Sequence, residues 1–135
     1  MSTTNVACHC GAVELQLTGQ PILQYYCHCD DCQAVHHGPF AVALYPATAV
    51  AVNGATTTFV LKTSPRTKCA RCETHLFAES PGQPMRGVNG ALLKGEFRPQ
   101  FHVQCRFARE PIDDSLPHYK AWPARVGGSD EEMTR

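Results

Sequence analysis

The chain has 135 residues, enough for one domain with a hydrophobic core and too few for two ordinary ones. Its 12 Lys plus Arg balance 12 Asp plus Glu, so it lacks the basic excess that draws proteins to a phosphate backbone, and nucleic acid is not an expected partner. The opening MSTTNVACHC has no charged segment followed by a long apolar run, and Pro46, Asn53 and Gly54 interrupt the most apolar region. Neither an export signal nor a bilayer span is expected, which makes the chain cytoplasmic and its thiols reduced.

Runs rich in β-branched and aromatic residues predict strands over Ala12–Thr18, Ile22–Tyr26, Phe40–Tyr45, Val50–Val52, Thr57–Lys62, His75–Ala78 and Phe101–Cys105. Turn signals separate them at Gly19–Pro21, Pro46, Asn53–Gly54, Ser64–Pro65, Ser80–Pro84 and Asn89–Gly90. No segment carries apolar residues at helical spacing over three turns, and only Asp30–His37 predicts a short helical turn. The fold expected is mainly β and antiparallel. A single zinc-binding domain is expected over residues 1–122, followed by a polar, disordered tail over 123–135 that ends in GGSDEEMTR.

Seven of the eight cysteines fall in three clusters: Cys8-His9-Cys10, Cys27-His28-Cys29-Asp30-Asp31-Cys32 and Cys69-Ala70-Arg71-Cys72. Tight pairs of this kind turn two sulfurs toward one tetrahedral metal site, and a distant pair completes it. Seven thiolates make one four-sulfur site and leave three sulfurs for a second metal. The middle cluster draws its three from one short segment, so the outer clusters pair as Cys8, Cys10, Cys69 and Cys72. The fourth position at Cys27, Cys29 and Cys32 is either open, as catalytic zinc requires, or closed by Cys105, His28 or His102.

These clusters, followed by His75-Leu76-Phe77, Pro99, Phe101-His102-Val103 and Asp113-Asp114-Ser115-Leu116-Pro117, resemble the glutathione-dependent formaldehyde-activating enzyme family from Ala7 to about Trp122. The resemblance implies an Mss4-like fold of coiled antiparallel sheets stabilised by zinc. It implies a structural zinc on Cys8, Cys10, Cys69 and Cys72 and a catalytic zinc on Cys27, Cys29 and Cys32. The implied activity is that of a carbon–sulfur lyase joining glutathione to formaldehyde to give S-hydroxymethylglutathione. Two positions depart from the family pattern: Glu73 stands where glycine is usual, and Gln33 where a basic residue is usual.

Other readings compete. A zinc-stabilised binding module needs no open site, and a thiol reductase would use Cys105, which strand alternation otherwise buries beside Phe101 and Val103. His28, His36 and His37 are candidates for moving a proton at the middle cluster. His102 reads as a packed residue that supports a ligand. Arg66, Lys68 and Arg71 are candidate cations for substrate carboxylates, though exposed loop charges are ordinary.

Overall fold

The computed structural model describes residues 2–133. The chain is mainly β with antiparallel sheets. In chain order it forms β1 (Thr3–Ala7), β2 (Glu14–Thr18), β3 (Leu23–Cys27), helix α1 (Asp30–His36), β4 (Phe40–Pro46), β5 (Val50–Asn53), β6 (Thr56–Leu61), β7 (Ser64–Cys69), β8 (His75–Glu79), β9 (Met85–Asn89) and β10 (Phe101–Val103). No helix among the described residues is long and apolar enough to cross a membrane. The chain divides into two compact units, one of Met1–Leu23 and Ala43–Phe97, the other of Gln24–Val42 and Arg98–Arg135.

In the first unit, β2 lies between β1 and β5 in an antiparallel sheet. Along β2 the pattern is strictly alternating: Leu15 and Leu17 are buried while Glu14, Gln16 and Thr18 face solvent, as a period of two requires of a half-buried strand. Register places Leu15 opposite Val6 and Leu17 opposite Val50. Their buried faces join Val13, Tyr45, Leu76, Phe77 and Val88 in one core that also contains Cys8 and Cys69. Strands β6 to β9 follow as an antiparallel meander. Gly54 adopts φ of 129°, and a Cβ there would collide with the carbonyl oxygen of Ala12 and lie 2.9 Å from Cα of Val13, so only glycine fits this turn.

The second unit is built on a parallel pair, β3 with β10, in which Tyr25, Tyr26 and Cys27 face Phe101, His102 and Val103. Tyr25 stacks on Phe101 with ring centroids 5.9 Å apart, and the edges of Trp122 and Tyr119 close on Tyr25 and Phe101 at 5.3 and 5.6 Å. Helix α1 begins after Cys29, whose sulfur accepts the Cys32 N–H, and carries Asp30 and Asp31 in its first turn, where acidic groups complement the helix dipole. His37 ends it in a left-handed conformation before Gly38 and Pro39. Farther on, Ala124–Val126 forms a 3-10 turn whose Ala124 N–H donates to Asp130 Oδ1, and the Met133 N–H donates to the His118 carbonyl. Residues 134 and 135 of the expected tail lie outside the described residues.

Strands β1, β7 and β9 are absent from the sequence expectation. Ser64–Pro65 reads as a turn, yet the reversal falls one step earlier at Lys62–Thr63, where Lys62 has φ of 58°, because Leu61 pairs with Ser64. Ladder pairing to β6 and β8 holds β7 extended despite its polar composition, a tertiary effect that local propensity does not register. Conversely, the strand expected over Phe101–Cys105 stops at Val103, since Gln104 turns to φ of 57° and Cys105 enters a 3-10 turn. Replacing Leu15, fully buried, by alanine should cost about 2–5 kcal/mol in urea unfolding. Val60→Ala, at a side chain 61% exposed, should stay within about 0.5 kcal/mol.

Candidate active site

Two sets of sulfurs form, one in each unit. Cys8, Cys10, Cys69 and Cys72 bring their sulfurs within 4.8 Å of one another, as do Cys27, Cys29 and Cys32. In the four-sulfur set Cys8 and Cys10 are 3.6 Å apart and Cys10 and Cys69 3.8 Å. A tetrahedron with metal–sulfur bonds of about 2.3 Å has sulfur–sulfur edges of about 3.8 Å. The backbone is shaped to serve the sulfurs: the Val13 N–H donates to Cys8 Sγ, and the Arg71 and Cys72 N–H groups donate to Cys69 Sγ, at 3.3–3.4 Å. Thr74 closes the cluster, its hydroxyl 3.0 Å from Cys72 Sγ.

The charge state of these sulfurs identifies what they need. Hydrogen bonds from the Thr74 hydroxyl and amide hold Cys72 down at about 5, whereas Cys10, lowered by the Ala12 amide, is pushed up to about 11 by burial and by the sulfurs of Cys72, Cys8 and Cys69. In the three-sulfur set Cys27 is raised well above the ordinary thiol range by Cys29 and Cys32 and by burial. Sulfurs so placed cannot all ionise beside one another, and a soft cation removes that conflict by neutralising them together. Both donor sets therefore fit a thiolate-bound metal such as zinc.

A cavity of about 450 Å³ within the second unit is lined by Tyr26, His28, Gln33, His37, His102, Arg109, Glu110 and Asp114 among others, three of them next in sequence to the middle cysteines. Tyr26 and His28 flank Cys27, and Gln33 follows Cys32. Gln33 is buried and its amide donates to the His28 carbonyl, so the position where the family pattern has a basic residue braces the knuckle instead. Arg109, unanticipated from the sequence, supplies a cation to the cavity wall. Among the expected cations, Arg66 is buried in β7 and Lys68 pairs with Glu73 at 2.7 Å.

The histidines separate by structure. His36 stacks on Phe40 with centroids 4.2 Å apart, and His37 lines the cavity. His28 and His102 are both buried and meet through Nε2 and Nδ1 at 2.8 Å. His102 Nε2 in turn contacts Asp114 Oδ2 at 2.7 Å, and His118 Nε2 contacts Asp114 Oδ1 at 2.9 Å. Burial, and then the positive charge that His102 and His118 carry when protonated, lower His28 to about 4. Burial tends to raise the Asp114 carboxyl, but hydrogen bonds from His118, His102 and the Leu116 amide outweigh it and hold the group at about 2. The sequence places Asp114 in the stretch that matches the family but gives neither it nor His118 a role, because only tertiary structure shows that DDSLPH folds back onto β10. Cys105 is buried and pushed up to about 12 by desolvation and by the charge of Asp114, the direction opposite to that which activates a thiol nucleophile.

The family model described as glutathione-dependent formaldehyde-activating enzyme matches residues 3–107. The chain belongs to this family. Among solved structures, a Rhodobacter sphaeroides protein known from its crystal structure is similar, with a TM-score of 0.56 and 26% identity, over 68% of this chain and 89% of that one. No curated protein matches. The family membership and the two cysteine sets are compatible with zinc binding.

Glu73 shows how this member manages a departure from the family pattern. It adopts φ of 63°, donates its N–H to the Cys69 carbonyl at 3.0 Å and ties its carboxylate to Lys68. The left-handed conformation costs a residue with Cβ about 1–2 kcal/mol, partly offset by the exposed ion pair and by the smaller entropy loss on folding relative to glycine. Glu73→Gly should therefore change stability by less than about 1 kcal/mol, while Glu73→Val, β-branched at positive φ, should destabilise by about 1–3 kcal/mol. Urea unfolding at matched zinc content measures both.

Proposed function

We propose that the chain is a zinc-dependent carbon–sulfur lyase that adds a thiol such as glutathione to a small aldehyde such as formaldehyde, acting in the cytoplasm. Cys27, Cys29 and Cys32 hold the catalytic zinc in this reading, and Cys8, Cys10, Cys69 and Cys72 hold a structural one. The observation that carries it is the contrast between the two sulfur sets. Four donors saturate a tetrahedral ion, whereas three leave a coordination position free, and the three-sulfur set is the one whose neighbouring residues line a cavity.

The chemistry the metal supplies at a three-thiolate site is to keep an incoming thiol ionised near neutral pH, the form that attacks a carbonyl carbon. Three thiolates outweigh the charge of a divalent ion, so polarising an aldehyde oxygen is the weaker use of such a site. The chain's own residues provide the remainder. Cys27 and Cys32 are buried and anchored, while Cys29 is half-buried at the start of α1. Arg109 offers a cation to a thiol that carries carboxylates, and the cavity is large enough to take the thiol-bearing end of a tripeptide and a small aldehyde together.

Chelation should bring thiol–aldehyde addition down to the uncatalysed rate, and zinc should restore it. An unchanged rate in metal-free, folded protein refutes the proposal. Cys27→Ser should lose one zinc equivalent and the activity but keep the fold, while Cys69→Ser, at a fully buried sulfur in the first core, should unfold the protein. Metal analysis alongside a thermal scan separates these outcomes.

A further inference from the structure

Four side chains of the second unit form one hydrogen-bonded file, His28 to His102 to Asp114 to His118. Its proton order follows from what each atom can do. A carboxylate only accepts, so the two Nε2 atoms facing Asp114 carry hydrogen. At about pH 8, where unperturbed imidazoles are neutral, His102 then has a lone pair at Nδ1, and at 2.8 Å only an N–H can face it. His28 accordingly carries its hydrogen on Nε2 and a bare lone pair on Nδ1. Among the described residues nothing hydrogen-bonds that Nδ1, and His28 lines the cavity.

We propose that Asp114 is a positioning residue that, acting through His102, locks His28 as the Nε2–H tautomer, so that the cavity presents an imidazole lone pair to the thiol or hydroxyl hydrogen of the substrate. The role in turnover rests on the lyase reading above, whereas the tautomer does not. His102, Asp114 and His118 are also close enough to hold a metal ion. However, the two imidazoles approach different oxygens of one carboxylate at 2.7 and 2.9 Å, which is how two N–H donors share an acceptor.

Asp114→Asn gives a sharp test because its orientation is dictated. Asp114 Oδ1 accepts from the Leu116 N–H at 3.0 Å as well as from His118, so the amide oxygen must stay there and the NH₂ must face His102 Nε2. A donor at that point forces the His102 hydrogen onto Nδ1, and His28 Nε2 must then accept. Both tautomers invert with no change in side-chain size. Two-bond ¹H–¹⁵N correlation spectra of the zinc-loaded protein at about pH 8, where unperturbed imidazoles are neutral, read this directly.

In the wild type His28 should show a protonated Nε2 and a bare Nδ1, and in Asp114→Asn the reverse. Zinc content should be unchanged, and kcat for thiol–aldehyde addition should fall about 10- to 100-fold, the usual effect of removing a group that orients another, with KM for the thiol less affected. His102→Phe, which cuts the file, should leave His28 as a mixture of both tautomers. A His28 that keeps its wild-type tautomer in both variants overturns the proposal, as does loss of a zinc equivalent in Asp114→Asn, which would make the cluster a metal site. Inverted tautomers in a protein without addition activity support the positioning of His28 and count against the lyase reading alone.

Discussion

Sulfur atoms that ionise repel one another, and this chain gathers them into two groups whose members lie within 4.8 Å. Everything around the groups is arranged to make that crowding tolerable. Backbone N–H groups point at Cys8, Cys29 and Cys69, a threonine hydroxyl sits on Cys72, and two of the four outer sulfurs belong to the hydrophobic core itself. A bound cation would neutralise the sulfurs together, and both sets could hold one. In a unit whose apolar side chains come from short strands, such a cross-link ties the segment after β1 to the knuckle after β7, which packing alone would hold less firmly.

The same chemistry has different consequences in the two units. Around the outer cluster the neighbours are core side chains and a saturating set of four donors. Next in sequence to the inner cluster stand buried His28 and Gln33, which line a cavity shared with His102, Arg109 and Asp114. Burying His28 and His102 is tolerable because they satisfy each other and Asp114, whose ionised state the file of hydrogen bonds preserves. Polar investment of this kind in a small domain marks the place where ligand chemistry is expected.

Departures from the family pattern prove local in extent. Glu73 accepts the left-handed backbone of the knuckle and recovers part of the cost by pairing with Lys68, while Gln33 is buried and donates to the His28 carbonyl. The cavity wall itself carries Arg109, beside Glu110 and Asp114.

Cysteine spacing by itself determined the division into four and three, because ligand geometry demands short, recognisable separations that no fold can disguise. Runs of β-branched and aromatic residues likewise revealed β2, β3 and β10. Only the tertiary structure decided the rest. Strand β7 is extended because β6 and β8 pair with it, Cys105 leaves its strand because Gln104 turns left-handed, and β3 lies parallel to a strand from the far end of the chain. The His28–His102–Asp114–His118 file is of the same kind: each residue is ordinary in sequence, and its meaning lies in hydrogen bonds whose distance and direction exist only once the second unit has folded.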